Sequence, residues 1–126
     1  MATVSVRYIV NDVDAAAAFY CRYLDFKEEM RGGPGFAALS RGDLRLLLNT
    51  PGGGGGAGQA MPDGRMPEPG GWNRFMIELD DLTAAVERLR AGGARFRNDV
   101  VVGRGGKQIL LEDPSGNPIE LFEPYR

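Results

Sequence analysis

Apolar and polar residues alternate from Val4 to Val10. Val4, Val6, Tyr8 and Val10 fall on one face and Ser5, Arg7 and Ile9 on the other, the period of a half-buried strand. Asp12 then suits a helix N-cap, and Val13, Ala16, Tyr20, Tyr23 and Leu24 mark the apolar stripe of an amphipathic helix. Two further strands are expected at Phe36–Leu39 and Leu44–Leu48, joined by the turn-forming Arg41-Gly42-Asp43.

The pattern starts again at Trp72. Phe75, Ile77 and Leu79 alternate with Arg74, Met76 and Glu78, and Asp80 or Asp81 caps a helix carrying Leu82, Ala85, Val86 and Leu89. Gly92-Gly93 is placed to end that helix with a left-handed residue. Strands are expected at Arg95–Arg97 or Asp99–Val102, then at Gln108–Glu112 and Ile119–Glu123. Val10-Asn11-Asp12-Val13 aligns with Leu79-Asp80-Asp81-Leu82, so the chain reads as a βαβββ unit written twice. The fold class is therefore α+β, in one domain: module one over about 1–50, module two over about 72–126.

Between the modules, residues 51–71 hold the run Gly52–Gly56 and prolines 62, 67 and 69. Few of their side chains can offset the entropy of ordering by burial, which suits a linker. The other reading is a flap over a cavity, because long irregular loops in compact domains are often functional. Neither the glycine run nor Gly103-Arg104-Gly105-Gly106-Lys107-Gln108 matches a phosphate-cradling loop, since Gln108 stands where a hydroxyl is required.

A chain of 126 residues with 43% hydrophobic and 25% charged residues is an ordinary globular protein. Its net charge of −2 argues against nucleic acid as a partner, and no apolar run is long enough to span a membrane. The strand pattern begins directly after Met1-Ala2-Thr3, so no signal peptide is expected. The single cysteine, Cys21, forms no internal disulfide and reads as a packing residue; the expected compartment is the cytoplasm.

Two stretches carry a family resemblance. They are Asp12-Val13-Asp14-Ala15-Ala16-Ala17-Ala18-Phe19-Tyr20 at the start of the first helix, and Asp113-Pro114-Ser115-Gly116-Asn117-Pro118-Ile119-Glu120-Leu121-Phe122-Glu123-Pro124 at the end of the chain. Both resemble the vicinal oxygen chelate superfamily, which includes glyoxalase I, extradiol dioxygenases and the fosfomycin and bleomycin resistance proteins. The resemblance implies that the two modules curl into a cupped mixed sheet and that two chains pair as a homodimer. It further implies a divalent metal held on the concave face by one residue from the first strand and one from the last strand of each module.

Those positions in this chain are Ser5, an apolar residue within Leu46–Leu48, Arg74 and Glu120. The chain has no histidine. One carboxylate beside a hydroxyl and a guanidinium is not the three- or four-donor set that a divalent transition ion needs. No metal and no other cofactor is therefore expected, and no catalytic residue is assigned. Glu120 is expected to pair with Arg74 or Arg7, because an unpaired carboxylate in a partly buried cavity is costly.

The expected ligand-binding set is Ser5, Arg7, Ile9, Phe36, Leu46, Leu48, Trp72, Arg74, Met76, Glu120 and Phe122, an apolar and aromatic surface with a few polar anchors. The resemblance then points to the metal-free, bleomycin-resistance-type branch: a binding protein that sequesters a bulky aromatic or polyketide-like natural product at the dimer interface. Bleomycin itself, a polycation, suits a more acidic protein. Two rivals stand beside this reading. One is a glyoxalase- or dioxygenase-like enzyme acting on a small carbonyl or diol with an atypical metal site. The other is a degenerate sensor or interaction module whose pocket is filled by its own side chains.

Overall fold

The computed structural model describes residues 4–53 and 55–126. Met1, Ala2 and Thr3, on which the absence of a signal peptide was argued, and Gly54 of the glycine run lie outside them. The chain divides into two compact units, one ending at Gly70 and the other spanning Gly71–Arg126.

In the first unit, β1 (Val4–Ile9) leads to α1 (Val13–Tyr23), followed by β2 (Lys27–Arg31), β3 (Phe36–Arg41) and β4 (Leu44–Asn49). The sheet order is β1-β4-β3-β2, with β1 parallel to β4 and the other pairs antiparallel. Asp12 caps α1 by accepting from the Ala15 N–H at 3.0 Å. Val13, Ala16, Ala17, Phe19 and Tyr20 form its buried face. Tyr8, Ala37, Leu39, Leu46 and Leu48 are buried on the strands, and Val10 is buried just after β1. α1 contacts both β3 and β4. Tyr20 locks the core through edge-to-face contacts with Phe19 at 5.4 Å and Phe26 at 5.3 Å.

The second unit repeats the plan with β5 (Met76–Glu78), α2 (Leu82–Ala91), β6 (Arg95–Phe96), β7 (Val101–Val102), β8 (Gly106–Glu112) and β9 (Pro118–Pro124). The order is β5-β9-β8-β6, with β7 also pairing with β8 and β5 parallel to β9. Of the two candidate caps it is Asp81 that accepts from the Ala84 N–H, while the Glu123 carboxylate accepts from the Leu82 N–H at 2.8 Å. α2 ends as expected: Gly93 has φ +86°, and the Ala94 and Gly93 N–H groups return to the Leu89 and Arg90 carbonyls. The apolar side of this unit joins Leu82, Val86 and Leu89 of α2 with Ile77, Ile109, Leu111, Ile119 and Leu121. The fold is thus α+β, with two βαβββ-like mixed sheets.

One strand was not foreseen. All five residues of β2, Lys-Glu-Glu-Met-Arg, are exposed on the sheet edge, so the strand has no apolar alternation to announce it. Both alternatives offered for 95–102 are strands, each of two residues, because β8 pairs with the chain in two short stretches.

Candidate functional site

Each sheet packs a helix on one face and leaves the other open. On the open face of the first unit, alternation places Ser5, Arg7 and Ile9 of β1 beside Arg45, Leu47 and Asn49 of β4, their register partners. Phe36, Ala38 and Ser40 of β3 continue the same face, opposite Asn49, Leu47 and Arg45.

Leu46 and Leu48, expected on this face, are not there. Both are 0% exposed and belong to the core packed by α1. The chain Leu46-Leu47-Leu48 is apolar throughout, so alternation could not choose its side, and a shift of one residue exchanges the faces. Leu47 and Asn49 take the places assigned to Leu46 and Leu48.

The Arg7 guanidinium donates through Nη1 to Asn49 Oδ1. These two residues, with Gly32, Phe36, Gly55, Gly56 and Ala57, line a cleft of about 650 Å³. A second cleft of about 550 Å³ shares Phe36 and runs over Met30, Ala38 and Leu47 toward Asp43 and Arg45.

Gly55 and Gly56 of the glycine run therefore belong to the wall of a cavity. The run's described residues turn back on the first unit: the Thr50 N–H donates to Gly35 O at 3.1 Å, and the Gly53 N–H to Thr50 O at 3.0 Å. A Cβ on Gly58 would stand 2.3 Å from Thr50 O, and one on Gly53 would stand 2.0 Å from Thr50 Oγ1. At Gly58 glycine is required because backbone packs directly on backbone, whereas at Gly53 the nearest atom belongs to the Thr50 side chain.

In the second unit, the open face carries Met76 and Glu78 on β5 beside Glu120 and Phe122 on β9. Arg74 precedes β5 and donates through Nε and Nη2 to a single oxygen, Oε1 of Glu120, at 3.0 and 2.9 Å. The pair is largely shielded, with side-chain exposures of 29% for Arg74 and 14% for Glu120. Of the two partners proposed for Glu120, the structure has Arg74.

Trp72 is 69% exposed. Its ring lies 4.8 Å from the guanidinium carbon of Arg97. Arg97 also donates to Glu112 Oε2, Gly71 O and Gly116 O at 2.9, 2.7 and 2.9 Å. The residue thus ties the β8–β9 turn to the segment entering β5. Sequence reasoning missed it, since its partners are distant in the chain and no motif marks them.

That turn is itself tightly built. Asp113 Oδ1 accepts from the Ser115 and Asn117 N–H groups, and Oδ2 accepts from the Asn117 side-chain amide. Asp113 and Asn117 are buried.

Strand register completes the comparison of the two units. The 69 residues separating the caps Asp12 and Asp81 set Arg7 against Met76. Arg7 pairs with Leu47 just as Met76 pairs with Glu120. Leu47 is therefore the first unit's counterpart of Glu120, and the four positions at which the resemblance implies metal ligands are Ser5, Leu47, Arg74 and Glu120. A hydroxyl, an alkyl group, a guanidinium and a carboxylate already bound by that guanidinium do not fit a divalent transition ion. Among the described residues, no three His, Cys, Asp or Glu side chains stand close enough together to hold one elsewhere.

Cys21 is half-buried. Burial first, and the Glu28 carboxylate next, push its thiol above the ordinary value. It is not set up as a nucleophile. Among the described residues, no helix is long and apolar enough to cross a membrane.

With this geometry in place, the chain can be assigned. The model of the Glyoxalase/Bleomycin resistance protein/Dioxygenase superfamily matches residues 3–121, and the chain belongs to that superfamily. Among solved structures it is similar to a superfamily member from Sphaerobacter thermophilus DSM 20745, at 23% identity and TM-score 0.76, covering 98% of this chain and 97% of that one. It is similar to TnmS3, an antibiotic binding protein from Streptomyces sp. CB03234, at 22% identity and TM-score 0.72, covering 99% and 97%. Lactoylglutathione lyase from Agrobacterium tumefaciens is also similar, at 22% identity and TM-score 0.72, covering 97% and 92%. No curated protein matches the chain. At such identities a binding protein and an enzyme share the scaffold equally, so the site has to decide between them.

Proposed function

We propose that this protein binds a bulky, largely apolar, planar small molecule without transforming it, as a metal-independent member of its superfamily. Sequestration of a toxic natural product by mass action is the role that follows. The observation that carries this reading is the Arg74–Glu120 pair: the one carboxylate among the four expected ligand positions is already neutralised by a neighbouring cation. A carboxylate held this way is poorly placed either to complete a metal site or to act as a general base.

The open faces supply the rest. Arg7, Phe36, Leu47 and Asn49, with Ser5 and Ile9 alongside, form the contact surface of the first unit. Trp72, Met76, Phe122 and the Arg74–Glu120 pair form that of the second. Such surfaces, mostly apolar with a few fixed polar groups, are the usual lining of small-molecule sites. Burying roughly 300 Å² of apolar ligand surface contributes about 7 kcal/mol before the association cost, enough for useful affinity without a covalent step. Pairing of two chains as a homodimer, with the pockets at the interface, is part of the same proposal.

The experiment has two arms on untagged protein purified without chelator. Elemental analysis should find no stoichiometric divalent metal, and calorimetric titration with a panel of planar aromatic natural products should find ligands recovered unchanged. About one tightly held divalent ion per chain, or a bound compound recovered chemically altered, would overturn the reading.

A further inference from the structure

We infer that the first unit's cleft selects ligands bearing a carboxylate or phenolate oxygen on an apolar planar body, with Arg7 as the anion-binding residue. This rests on the ligand-binding reading above and adds the ligand's charge. Arg7 differs from the arginines around the second site. Arg74 is paired with Glu120, and Arg97 and Arg95 with Glu112. Among the described residues no carboxylate stands within ion-pair distance of Arg7; its side-chain partner is the neutral amide oxygen of Asn49. Asn49 is itself buried, so it fixes the guanidinium while leaving its charge uncancelled.

The surroundings fit the same ligand. Gly32, Phe36, Gly55, Gly56 and Ala57 complete the cleft around Arg7 and Asn49, and none of them is acidic. A guanidinium offers five N–H donors in a planar fork, and a carboxylate accepts two of them side by side. Glycines at 55 and 56 leave the approach free of side chains. From Phe36 the surface continues over Met30, Ala38 and Leu47, an apolar floor for a ring system. The acidic Glu29 and Asp43 line only this second cleft, together with Arg45. The ligand's anion therefore belongs at Arg7, with its apolar body over Phe36 and Leu47. Holding the cation in place beforehand reduces the ordering cost of binding.

The test uses 2-naphthoate and its neutral isostere 2-naphthamide, titrated calorimetrically into the full chain and into Arg7→Met and Arg7→Lys. Wild type should prefer the naphthoate by about tenfold or more, equivalent to about 1.4 kcal/mol. Arg7→Met should abolish the preference by weakening naphthoate at least about tenfold more than naphthamide, and Arg7→Lys should retain part of it, since charge remains but the fork is lost. Added salt should weaken naphthoate binding and spare the amide. Far-UV circular dichroism checks that the variants fold; if Arg7→Met does not, Arg7→Lys and the salt series decide. Equal affinity for the two probes in wild type, or a preference that survives in Arg7→Met, would overturn the role of Arg7 and leave the binding function standing. Failure of wild type to bind either probe at millimolar concentration would overturn both.

Discussion

Replacing Arg97 with methionine should loosen the second unit's site more than any loss of surface charge would explain. The side chain of Arg97 is only 16% exposed and joins three segments: Glu112 on β8, Gly71 before β5 and Gly116 in the β8–β9 turn. Methionine keeps most of the aliphatic volume and removes all three donors. Hydrogen bonds from a charged group contribute about 1.5–3 kcal/mol each in shielded sites. The partners here are only partly buried and water can replace some of the contacts, so the net loss should be about 2–4 kcal/mol rather than the full sum. The stacking on Trp72 adds about 0.5–1 kcal/mol at this exposure. Urea unfolding measures the stability. Trp72 is the only tryptophan, so its emission reports the site directly. The expected result is a lower midpoint, together with a changed Trp72 emission that Arg97→Lys only partly restores. A loss below about 1 kcal/mol with unaltered emission would refute the reasoning, because two part-buried bonds and one exposed bond from a guanidinium cannot all be removed at so little cost.

Other expectations follow from the same contacts. Asp113→Ala removes a buried acceptor of three hydrogen bonds and should cost about 3–5 kcal/mol in urea unfolding, whereas Asp113→Asn should cost less. Gly58→Ala sets a methyl group 2.3 Å from Thr50 O. It should destabilise the first unit by about 1–3 kcal/mol and expose residues 50–58 to limited proteolysis; an unchanged digestion pattern would contradict the packing described. Because its thiol is pushed above the ordinary value, Cys21 has a smaller thiolate fraction near neutrality than a free cysteine. Alkylation by iodoacetamide at about pH 8 should be slower than for free cysteine and accelerate only at more alkaline pH; equal or faster reaction at about pH 8 would contradict this.

Much of the framework was legible because it is written in local signals. Asp12 caps its helix as its position before an apolar stripe implies, Asp81 is the cap of the two candidates Asp80 and Asp81, and Gly93 takes the left-handed conformation that ends α2. The alternation around β1 and β5 sorted Ser5, Arg7, Ile9, Arg74 and Met76 onto the correct faces, since one side of each strand is apolar and the other is not. It could not sort Leu46 from Leu47, where every residue is leucine, nor find β2, where Met30 is the single apolar residue among four charged ones. The glycine run was open to two readings because composition is blind to packing: glycine is chosen equally by a loose linker and by backbone in contact with backbone.

The sequence alone determined the two repeated βαβββ units, their helix starts and turns, and the lack of any histidine to serve as a metal ligand. It could do so because propensity, capping and donor chemistry depend on residue type and short spacing. Only the tertiary structure decided that Leu47 answers to Glu120, that Arg97 binds the turn to Trp72, and that Arg7 faces the glycine loop with an amide in place of a carboxylate. Those facts rest on strand register and on contacts between residues far apart in the chain. In a sheet, a shift of a single residue exchanges the core for the open face.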